Sequence, residues 1–309
     1  MRLMFFGSGA FGLPTLESLH REHEVAAVVT QPARPAGRKR RLTPTPIAAW
    51  AESEGLTVWP IEDVNKPEQV QRLVSVGAEA SVVIAFGQKL SPPVVAAGGG
   101  LMVNLHGSLL PAYRGAAPIQ RAVMDGCTET GVSVIALAER MDAGVVYGKA
   151  SLEIDPLETA GELHDRMAEL GPGAIGRVLD DFAAGRLTAE EQDESLATRA
   201  HKLTKAEGTV DFDRPASAVR AHVNGLNPWP GCRVRWQDGE LLLRRVKDHP
   251  ADDAGSAELG TVLPSLRVAT SDGTLELLEV QVAGKRVVPF AVFQQQGGLS
   301  MGDRLLPVR

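Results

Sequence analysis

Short apolar segments alternate with amphipathic ones along the first half of the chain. The apolar runs, several of them rich in valine and isoleucine, predict buried strands at Arg2–Phe6, Val25–Thr30, Ala80–Ala85, Leu101–Leu105 and Val132–Leu137. Helical spacing of the hydrophobic positions between them predicts helices at Phe11–His20, Pro46–Glu54, Pro67–Val76 and Pro118–Met124. Strands that are hydrophobic on both faces and separated by helices indicate an α/β domain with a mostly parallel sheet. Such sheets bind ligands beyond the carboxyl ends of their strands, so chemistry is expected there.

The pattern changes in the second half of the chain. Helical spacing extends over Ala160–Ala184, where Gly171-Pro172-Gly173 can interrupt it, and polar, acidic sequence follows from Thr188 to about Ala200. Beyond this, short strands and turn residues predict a small β-barrel with one helix at Pro215–Asn224; the strands are Val210–Phe212, Arg233–Trp236, Glu240–Val246, Gly260–Val262, Arg267–Thr270 and Thr274–Val280. The sequence thus predicts an α/β domain at 1–187, a linker at 188–203 and a barrel domain at 204–309.

Length and composition indicate an ordinary globular protein. Its 309 residues are enough for two domains, and 44% hydrophobic with 23% charged residues argues against disorder. No apolar run reaches the length of about 18 residues that a membrane span needs. The first residues, Met1–Phe6, reach a glycine too soon for a signal peptide and are expected to form a buried strand. Cys127 and Cys232 match no zinc or redox spacing, which favours two reduced cysteines in a cytoplasmic protein.

Charge is unevenly distributed along the sequence. Lys+Arg number 32 against 38 Asp+Glu, so the net charge of −6 gives no overall positive field that would attract nucleic acid. A dense basic cluster nevertheless lies within Arg34–Arg41 and contains Arg38, Lys39, Arg40 and Arg41. Such a loop can neutralise phosphates and reach a strained nucleic-acid end. The alternative is an ordinary solvated loop.

Two glycine-rich stretches resemble nucleotide-binding motifs. Gly7–Gly12 has the G-x-G-x-x-G pattern after a strand, but Thr30-Gln31-Pro32 lacks the acid that would bind a ribose. A tight strand-to-helix turn beside an active site is the preferred interpretation over nicotinamide or flavin binding. Gly144–Lys149 is one residue short of a phosphate-binding loop, and Ala150 stands where Ser or Thr would bind magnesium, so this motif is rejected.

The strongest candidate chemistry lies in Val103–Ser108. Strand side chains alternate, so Asn104 and His106 point to the same face at the end of an apolar run. There both can donate hydrogen bonds to a developing oxyanion, and the imidazole can also move protons. Asp142 follows the Val132–Leu137 strand, and near His106 it could raise the basicity of the imidazole.

Spacing alone leaves blander alternatives for these three residues open. They are a capping asparagine, a buried core histidine and a turn-forming aspartate. A hydrolase triad of Ser108, His106 and Asp142 is disfavoured because no G-x-S-x-G elbow surrounds Ser108.

Together these residues resemble the methionyl-tRNA formyltransferases over nearly the whole chain. The most specific stretches are Asn104–Pro111, Tyr113–Pro118 and Met141–Gly144, of which the first and last are shared with the wider folate-dependent formyltransferases, including glycinamide ribonucleotide formyltransferase. The narrower assignment rests on Gln31–Arg38 with Leu42–Pro44, on Lys202–Lys205 with Val210–Phe212, and on Asn227–Gly231.

This resemblance implies transfer of a formyl group from 10-formyltetrahydrofolate to the methionine amino group of initiator methionyl-tRNA, in translation initiation. It implies a Rossmann-like catalytic domain and a C-terminal, OB-like β-barrel that helps to hold the tRNA. The family's catalytic positions match Asn104, His106 and Asp142. Its folate contacts match Ser108, Leu109, Leu110 and Pro111 and, more weakly, Gly87, Gln88, Lys89 and Leu90. The loop that approaches the tRNA acceptor end matches Arg38 and its neighbours Lys39, Arg40 and Arg41, and no metal is implied.

The sequence departs from the family pattern at a few positions. Ser8-Gly9-Ala10 stands where Thr-Pro-acid is usual beside the expected methionine pocket, Ala33 replaces a usual Asp, and Val145 stands where a polar residue is common.

One rival function is formyl transfer to a small amine, which the basic loop and the second domain disfavour. Another is a dinucleotide-binding regulatory module, which the intact catalytic set disfavours. A monomer is expected because no coiled coil or interface stripe appears in the sequence.

Overall fold

The computed structural model describes residues 1–37, 40–237, 239–250 and 257–308. Its strands are β1 (Arg2–Gly7), β2 (Glu24–Thr30), β3 (Arg34–Ala36), β4 (Arg41–Thr43), β5 (Val58–Pro60), β6 (Ala80–Ile84), β7 (Leu101–His106), β8 (Arg114–Gly115), β9 (Glu129–Ala136), β10 (Val146–Glu153), β11 (Arg199–Ala200), β12 (Cys232–Trp236), β13 (Gly239–Pro250), β14 (Val268–Ala269), β15 (Gly273–Val282), β16 (Val288–Pro289) and β17 (Leu306–Pro307). Its α-helices are α1 (Leu13–Glu22), α2 (Pro46–Ser53), α3 (Pro67–Ser75), α4 (Pro92–Ala97), α5 (Pro118–Met124), α6 (Ala160–Ala168), α7 (Gly171–Ala183), α8 (Ala216–Gly225) and α9 (Phe290–Gln295).

The chain forms two compact units that interleave along the sequence. The first unit comprises Met1–Arg114, Gly131–Leu152 and His164–Arg199. The second unit comprises Gly115–Thr130, Glu153–Leu163 and Ala200–Arg309. The limit between Arg199 and Ala200 falls inside the predicted linker at 188–203, whereas Gly115–Thr130 and Glu153–Leu163 fall within the stretch predicted as the α/β domain.

The first unit is built on a seven-stranded sheet in the order β10-β9-β7-β6-β1-β2-β5. β1 pairs in parallel with β2 and β6, β2 with β5, and β6 with β7, whereas β9 runs antiparallel to β7. The central strands are buried on both faces, as Met4, Phe5 and Phe6 in β1 illustrate with no exposed surface. The mostly parallel sheet predicted from the apolar runs is confirmed.

The helical stretch that begins at Ala160 is interrupted where the glycine-proline pattern predicted. α6 ends at Ala168 and α7 begins at Gly171. A Cβ on Gly171 would lie 2.2 Å from the Oγ1 of Thr15 in α1, so a residue without a side chain is needed for α7 to approach α1 this closely.

The second unit contains an antiparallel sheet in the order β14-β15-β13-β12-β17, with β16 also pairing with β15. This sheet and α8 confirm the predicted small barrel and its helix at Pro215–Asn224, but the expectation of a single helix is wrong, since α5 and α9 also belong to this unit. The expected strands at Val210–Phe212 and Gly260–Val262 are wrong: only isolated bridges form there, at Thr209, Thr261 and Val262. Their hydrophobic residues Val210, Phe212 and Val262 belong to the core of the unit without forming a regular ladder.

Elements without a strong hydrophobic period escaped prediction, namely β3, β4, β5, α4, β10, α9 and the short C-terminal strands. In the described part of the chain, no helix has the length and apolar character needed to cross a membrane.

Candidate active site

Asn104 and His106 lie on one face of β7, near its C-terminal end. β7 is flanked by β6 and β9, and in the latter pairing Asn104 lies opposite Ile135 and His106 opposite Ser133. His106 is buried, with 6% of its surface exposed, whereas Asn104 is half-buried. The described residues form no hydrogen bond with the side-chain amide of Asn104, so this donor is available to a bound molecule.

The imidazole of His106 is fixed by a backbone carbonyl. Its Nε2 lies 2.9 Å from the carbonyl oxygen of Tyr113. Because a carbonyl oxygen can only accept, Nε2 carries a hydrogen and donates it. The nitrogen left for chemistry is therefore Nδ1, which faces Asp142: Nδ1 and the Asp142 Oδ2 are 3.7 Å apart.

Asp142 lies in the turn between β9 and β10, in the left-handed region with φ of 56°. The turn returns closely onto β9, since Ala136 N donates to Val145 O and a Cβ on Gly144 would lie 2.0 Å from Ala136 O. β9 is antiparallel to β7, so the carboxyl ends of these two strands do not share an edge of the sheet. Asp142 therefore approaches His106 because of the path of the turn that follows β9, and not because the two strands end at the same edge of the sheet.

Gln192 is a polar residue at this site that sequence analysis missed. Its Nε2 donates to the carbonyl oxygens of Asp142 and Gly144, at 2.8 Å and 2.7 Å. Gln192 lies in the stretch predicted as a linker, and no local pattern distinguishes it from the neighbouring polar residues. The contact could be found only from the three-dimensional structure.

The predicted folate contacts at Ser108–Pro111 form a tightly bonded corner. Ser108 Oγ donates to Ala112 O at 2.6 Å, and Ser133 Oγ donates to Ser108 O at 2.7 Å while accepting from Leu110 N at 3.0 Å. Ser108 and Leu110 are buried, whereas Leu109 and Pro111 are half-buried. The hydroxyl of Ser108 is thus already used within the protein, and this corner offers backbone and apolar surface to a ligand.

The second predicted folate stretch, Gly87–Leu90, is a loop held by its own side chains. The Gln88 amide donates to Ile61 O and accepts from Val64 N, at 2.8 Å and 3.0 Å. Gly87 has φ of 83°, and a Cβ there would lie 2.3 Å from Gln31 Nε2. No described residue accepts from the backbone N–H groups of residues 87–90. The side chain of Gln88 therefore has a structural task, and the loop presents backbone donors.

The glycine-rich turn at Gly7–Gly12 is used for packing. A Cβ on Gly7 would lie 3.0 Å from Ile84 O, so β1 can approach β6 only without a side chain there. Ser8 Oγ donates to Phe86 O and accepts from Gln31 N, both at 3.1 Å. The turn is thereby joined to the loop that contains Gly87.

The basic stretch forms a β-hairpin. β3 and β4 pair antiparallel, with Arg34 opposite Thr43 and Ala36 opposite Arg41. Arg40 and Arg41 are exposed, whereas Arg38 and Lys39 lie outside the described residues. Arg34 forms a local contact, since its Nη2 donates to the Oε1 of Gln31, three residues earlier, at 3.0 Å.

Across the described ranges, no three or more His, Cys, Asp or Glu side chains are grouped so that they could hold a metal ion. Of the predicted site residues, His106 and Asp142 are brought together with Asn104 two residues earlier on the same strand face. The described part of the basic cluster lies on a separate hairpin.

Comparison with known proteins identifies two matching family models. Residues 1–179 match the formyl transferase model, and residues 202–296 match that of the formyl transferase C-terminal domain. A methionyl-tRNA formyltransferase of Solibacter usitatus is 40% identical over 308 residues, covering 99% of this chain and 98% of the relative. One from Moorella thermoacetica is 40% identical over 309 residues, covering 99% of each chain.

Solved structures share the fold at low sequence identity. WlaRD, a sugar 3N-formyl transferase crystallised with dTDP and 5-N-formyl-THF, has a TM-score of 0.67 at 12% identity and covers 93% of this chain and 99% of its own. HypX from Aquifex aeolicus in complex with tetrahydrofolic acid has a TM-score of 0.64 at 16% identity, covering 96% of this chain and 47% of its own.

Proposed function

The chain belongs to the methionyl-tRNA formyltransferases of the formyl transferase family, and on that premise we propose that it transfers a formyl group from 10-formyltetrahydrofolate to the methionine amino group of initiator methionyl-tRNA. The product is the N-formylmethionyl-tRNA used in translation initiation. The observation that carries this proposal is the approach of His106 to Asp142 beside the free amide of Asn104. The full-length match to methionyl-tRNA formyltransferases supports the choice of substrate.

The chemistry needs a donor for a developing negative charge and an acceptor for a proton. The neutral amine attacks the formyl carbon, a carbon–nitrogen bond forms and the formyl oxygen becomes negative. The Asn104 amide donates to that oxygen, and a proton on His106 Nδ1 makes the imidazole a second donor. Asp142, directly or through water, accepts the proton that the attacking nitrogen sheds. Cleavage of the bond to the folate nitrogen then completes the transfer, and that nitrogen regains a proton.

The residues that match folate contacts fit a flat, polar ring system. The Gly87–Leu90 loop offers backbone N–H groups without partners among the described residues, and Gln88 holds the loop through Ile61 and Val64. The half-buried Leu109 and Pro111 offer apolar surface. We assign the folate to these stretches, because a pteridine ring needs both backbone hydrogen bonds and apolar contact.

The tRNA is proposed to contact the basic hairpin and the second unit. Arg40 and Arg41 are exposed, as phosphate contacts require, and the neighbouring Arg38 and Lys39 carry the same charge. The proposal divides the work between a catalytic domain at 1–187, a linker at 188–203 and a tRNA-binding barrel at 204–309. It includes action in the cytoplasm, as a monomer.

A substrate competition assay tests the proposal. The protein is supplied with 10-formyltetrahydrofolate and, in separate reactions, with charged initiator methionyl-tRNA, free methionine or glycinamide ribonucleotide. Formylation of the charged tRNA alone is expected, with Asn104→Ala protein as the inactive control. Comparable formylation of glycinamide ribonucleotide would instead indicate a small-amine formyltransferase.

A further inference from the structure

The side chain of Gln192 uses all of its hydrogen-bonding capacity within the first unit. Its two amide hydrogens go to the carbonyl oxygens of Asp142 and Gly144. Its Oε1 accepts from Arg114, from Nε at 3.0 Å and from Nη2 at 2.8 Å. A primary amide offers two donors and two acceptor positions, so none remains for solvent or substrate.

The carbonyls that Gln192 holds belong to Asp142 itself and to Gly144, two residues later in the same turn. Asp142 is a non-glycine residue in the left-handed region, a conformation that persists only where the surroundings enforce it. The C-terminal part of the turn is held against β9 by the close approach of Gly144 to Ala136. Gln192 holds the same segment through the carbonyls of Asp142 and Gly144, so the direction of the Asp142 side chain depends on both contacts.

Gln192 is itself held in place by a buried arginine. Arg114 is 8% exposed and pairs through Nη1 and Nη2 with Glu194, at 3.2 Å and 2.9 Å. Glu194 also accepts from Arg140, and the hydrogen bonds from Arg114 and Arg140 lower the pKa of Glu194 to about 2. The Glu194 carboxylate is therefore ionised at neutral pH. The Arg114 guanidinium is held by Gln192 at Nε and Nη2 and by Glu194 at Nη1 and Nη2.

This network reaches both partners of the candidate catalytic pair. Tyr113, which precedes Arg114, accepts the hydrogen bond from His106 Nε2. Arg114 then continues through Gln192 to Asp142. One short stretch of chain thus orients the imidazole directly and the carboxylate through Gln192.

We propose that Gln192 is a positioning residue that sets the direction of the Asp142 carboxylate toward His106. The inference rests on the proposed function, because it concerns the same site. Gln192 touches no reacting atom in this assignment and acts only through the Asp142 turn.

The test compares kinetic constants of three variants. Gln192→Met removes all four hydrogen bonds at similar volume, and Gln192→Glu keeps an acceptor for Arg114 but loses both donors to the carbonyls. Glu191→Gln is the matched control, since the exposed Glu191 side chain forms no hydrogen bond or ion pair with described residues. For both Gln192 variants we expect kcat to fall about tenfold to a hundredfold, with KM for tRNA and folate within about twofold. If Gln192→Met does not fold, Gln192→Glu carries the same comparison.

A double-mutant cycle separates positioning from a general structural effect. In an Asp142→Asn background, measured in single turnover, Gln192→Met should change the rate by less than about threefold, because the carboxylate that it positions is gone. A repeat of the full loss there, or an unchanged kcat in the single variants, overturns the proposal. Absence of formyl transfer by the wild-type protein contradicts the proposed function, whereas normal transfer by Gln192→Met contradicts only the positioning role.

Discussion

The Nδ1 of His106 lies 3.7 Å from the Oδ2 of Asp142, whereas its Nε2 donates to the carbonyl of Tyr113. The imidazole is therefore held at one nitrogen, and its other nitrogen faces the Asp142 carboxylate. In the proposed mechanism the chemistry of His106 therefore takes place at Nδ1, with Asp142 as the facing proton acceptor.

The first prediction concerns this pair. Asp142→Asn removes the charge at constant size, and kcat should fall by about a hundredfold to ten-thousandfold because the proton acceptor is lost. His106→Asn should give a loss of similar size, and the double variant should be little worse than either single one, since the two groups act as a unit. Steady-state formyl transfer measures all three, and losses that multiply would show that the groups act independently.

A second prediction concerns Asn104. Removing one preorganised donor to an oxyanion typically lowers kcat by two to three orders of magnitude, and Asn104→Ala should do the same. The amide makes no hydrogen bond with described residues, so the melting temperature should stay close to that of the wild type. Near-normal turnover in the folded variant would remove Asn104 from the mechanism. Gln71→Ala is the matched control, since Gln71 is an exposed amide on α3, away from β7.

The basic hairpin gives a third prediction, on tRNA binding. Arg40→Ala combined with Arg41→Ala should raise KM for methionyl-tRNA. It should also reduce the slope of log KM against log salt, because binding releases fewer counterions when fewer phosphates are contacted. Folate binding should be unchanged. The charge-matched control is Arg21→Ala with Lys66→Ala, which removes two cations from α1 and the start of α3. An unchanged salt slope would show that the hairpin is an ordinary solvated loop that does not contact the tRNA.

A fourth prediction follows from a buried histidine in the second unit. Burial lowers the pKa of His222 below 6.5, partly offset by hydrogen bonds to the carbonyls of Glu207 and Thr209, with Arg214 lowering it further. The unfolded chain therefore takes up a proton near pH 6.5 that the folded protein still refuses. The contribution of His222 to stability is complete above that pH and is lost as the pH falls toward the lowered pKa.

Thermal unfolding of His222→Gln checks the sign of this effect. Glutamine retains a donor for the two carbonyls and does not titrate. The difference in melting temperature between wild type and variant should shrink, or reverse, as the pH falls from 8 to about 5.5. A difference that stays constant over this range would contradict the assignment.

How far the sequence predicts the site depends on the kind of signal. Asn104 and His106 follow from the two-residue period of a strand, a local rule that the structure obeys in β7. The proximity of Asp142 to His106 was predicted for a reason that fails, since β9 is antiparallel to β7. Gln192 left no signal at all, because its contacts with Asp142 and Gly144 lie 50 and 48 residues away.

The fold shows the same division between local and long-range information. The hydrophobic period located the central strands, and the break at Gly171 was visible as a glycine-proline signal. Val210–Phe212 was predicted as a strand because Val210 and Phe212 are hydrophobic on either side of Asp211, but both are buried without regular backbone pairing. The interleaving of the two units had no sequence signal, since α5 resembles the preceding helices of the α/β pattern.

That interleaving leads to the last prediction, on truncation. α5 belongs to the second unit, where a Cβ on Gly225 of α8 would lie 2.5 Å from the side chain of Met124. A fragment of about 200 residues retains α5 but loses α8 and so exposes the apolar face that α8 covers. We expect this fragment to melt at lower temperature than the full chain and to aggregate, with loss of folate binding as well as tRNA use. Met124→Gln in the fragment should raise its soluble yield. A fragment that binds a folate analogue with full affinity and melts as the intact protein does would show that α5 is stable without α8.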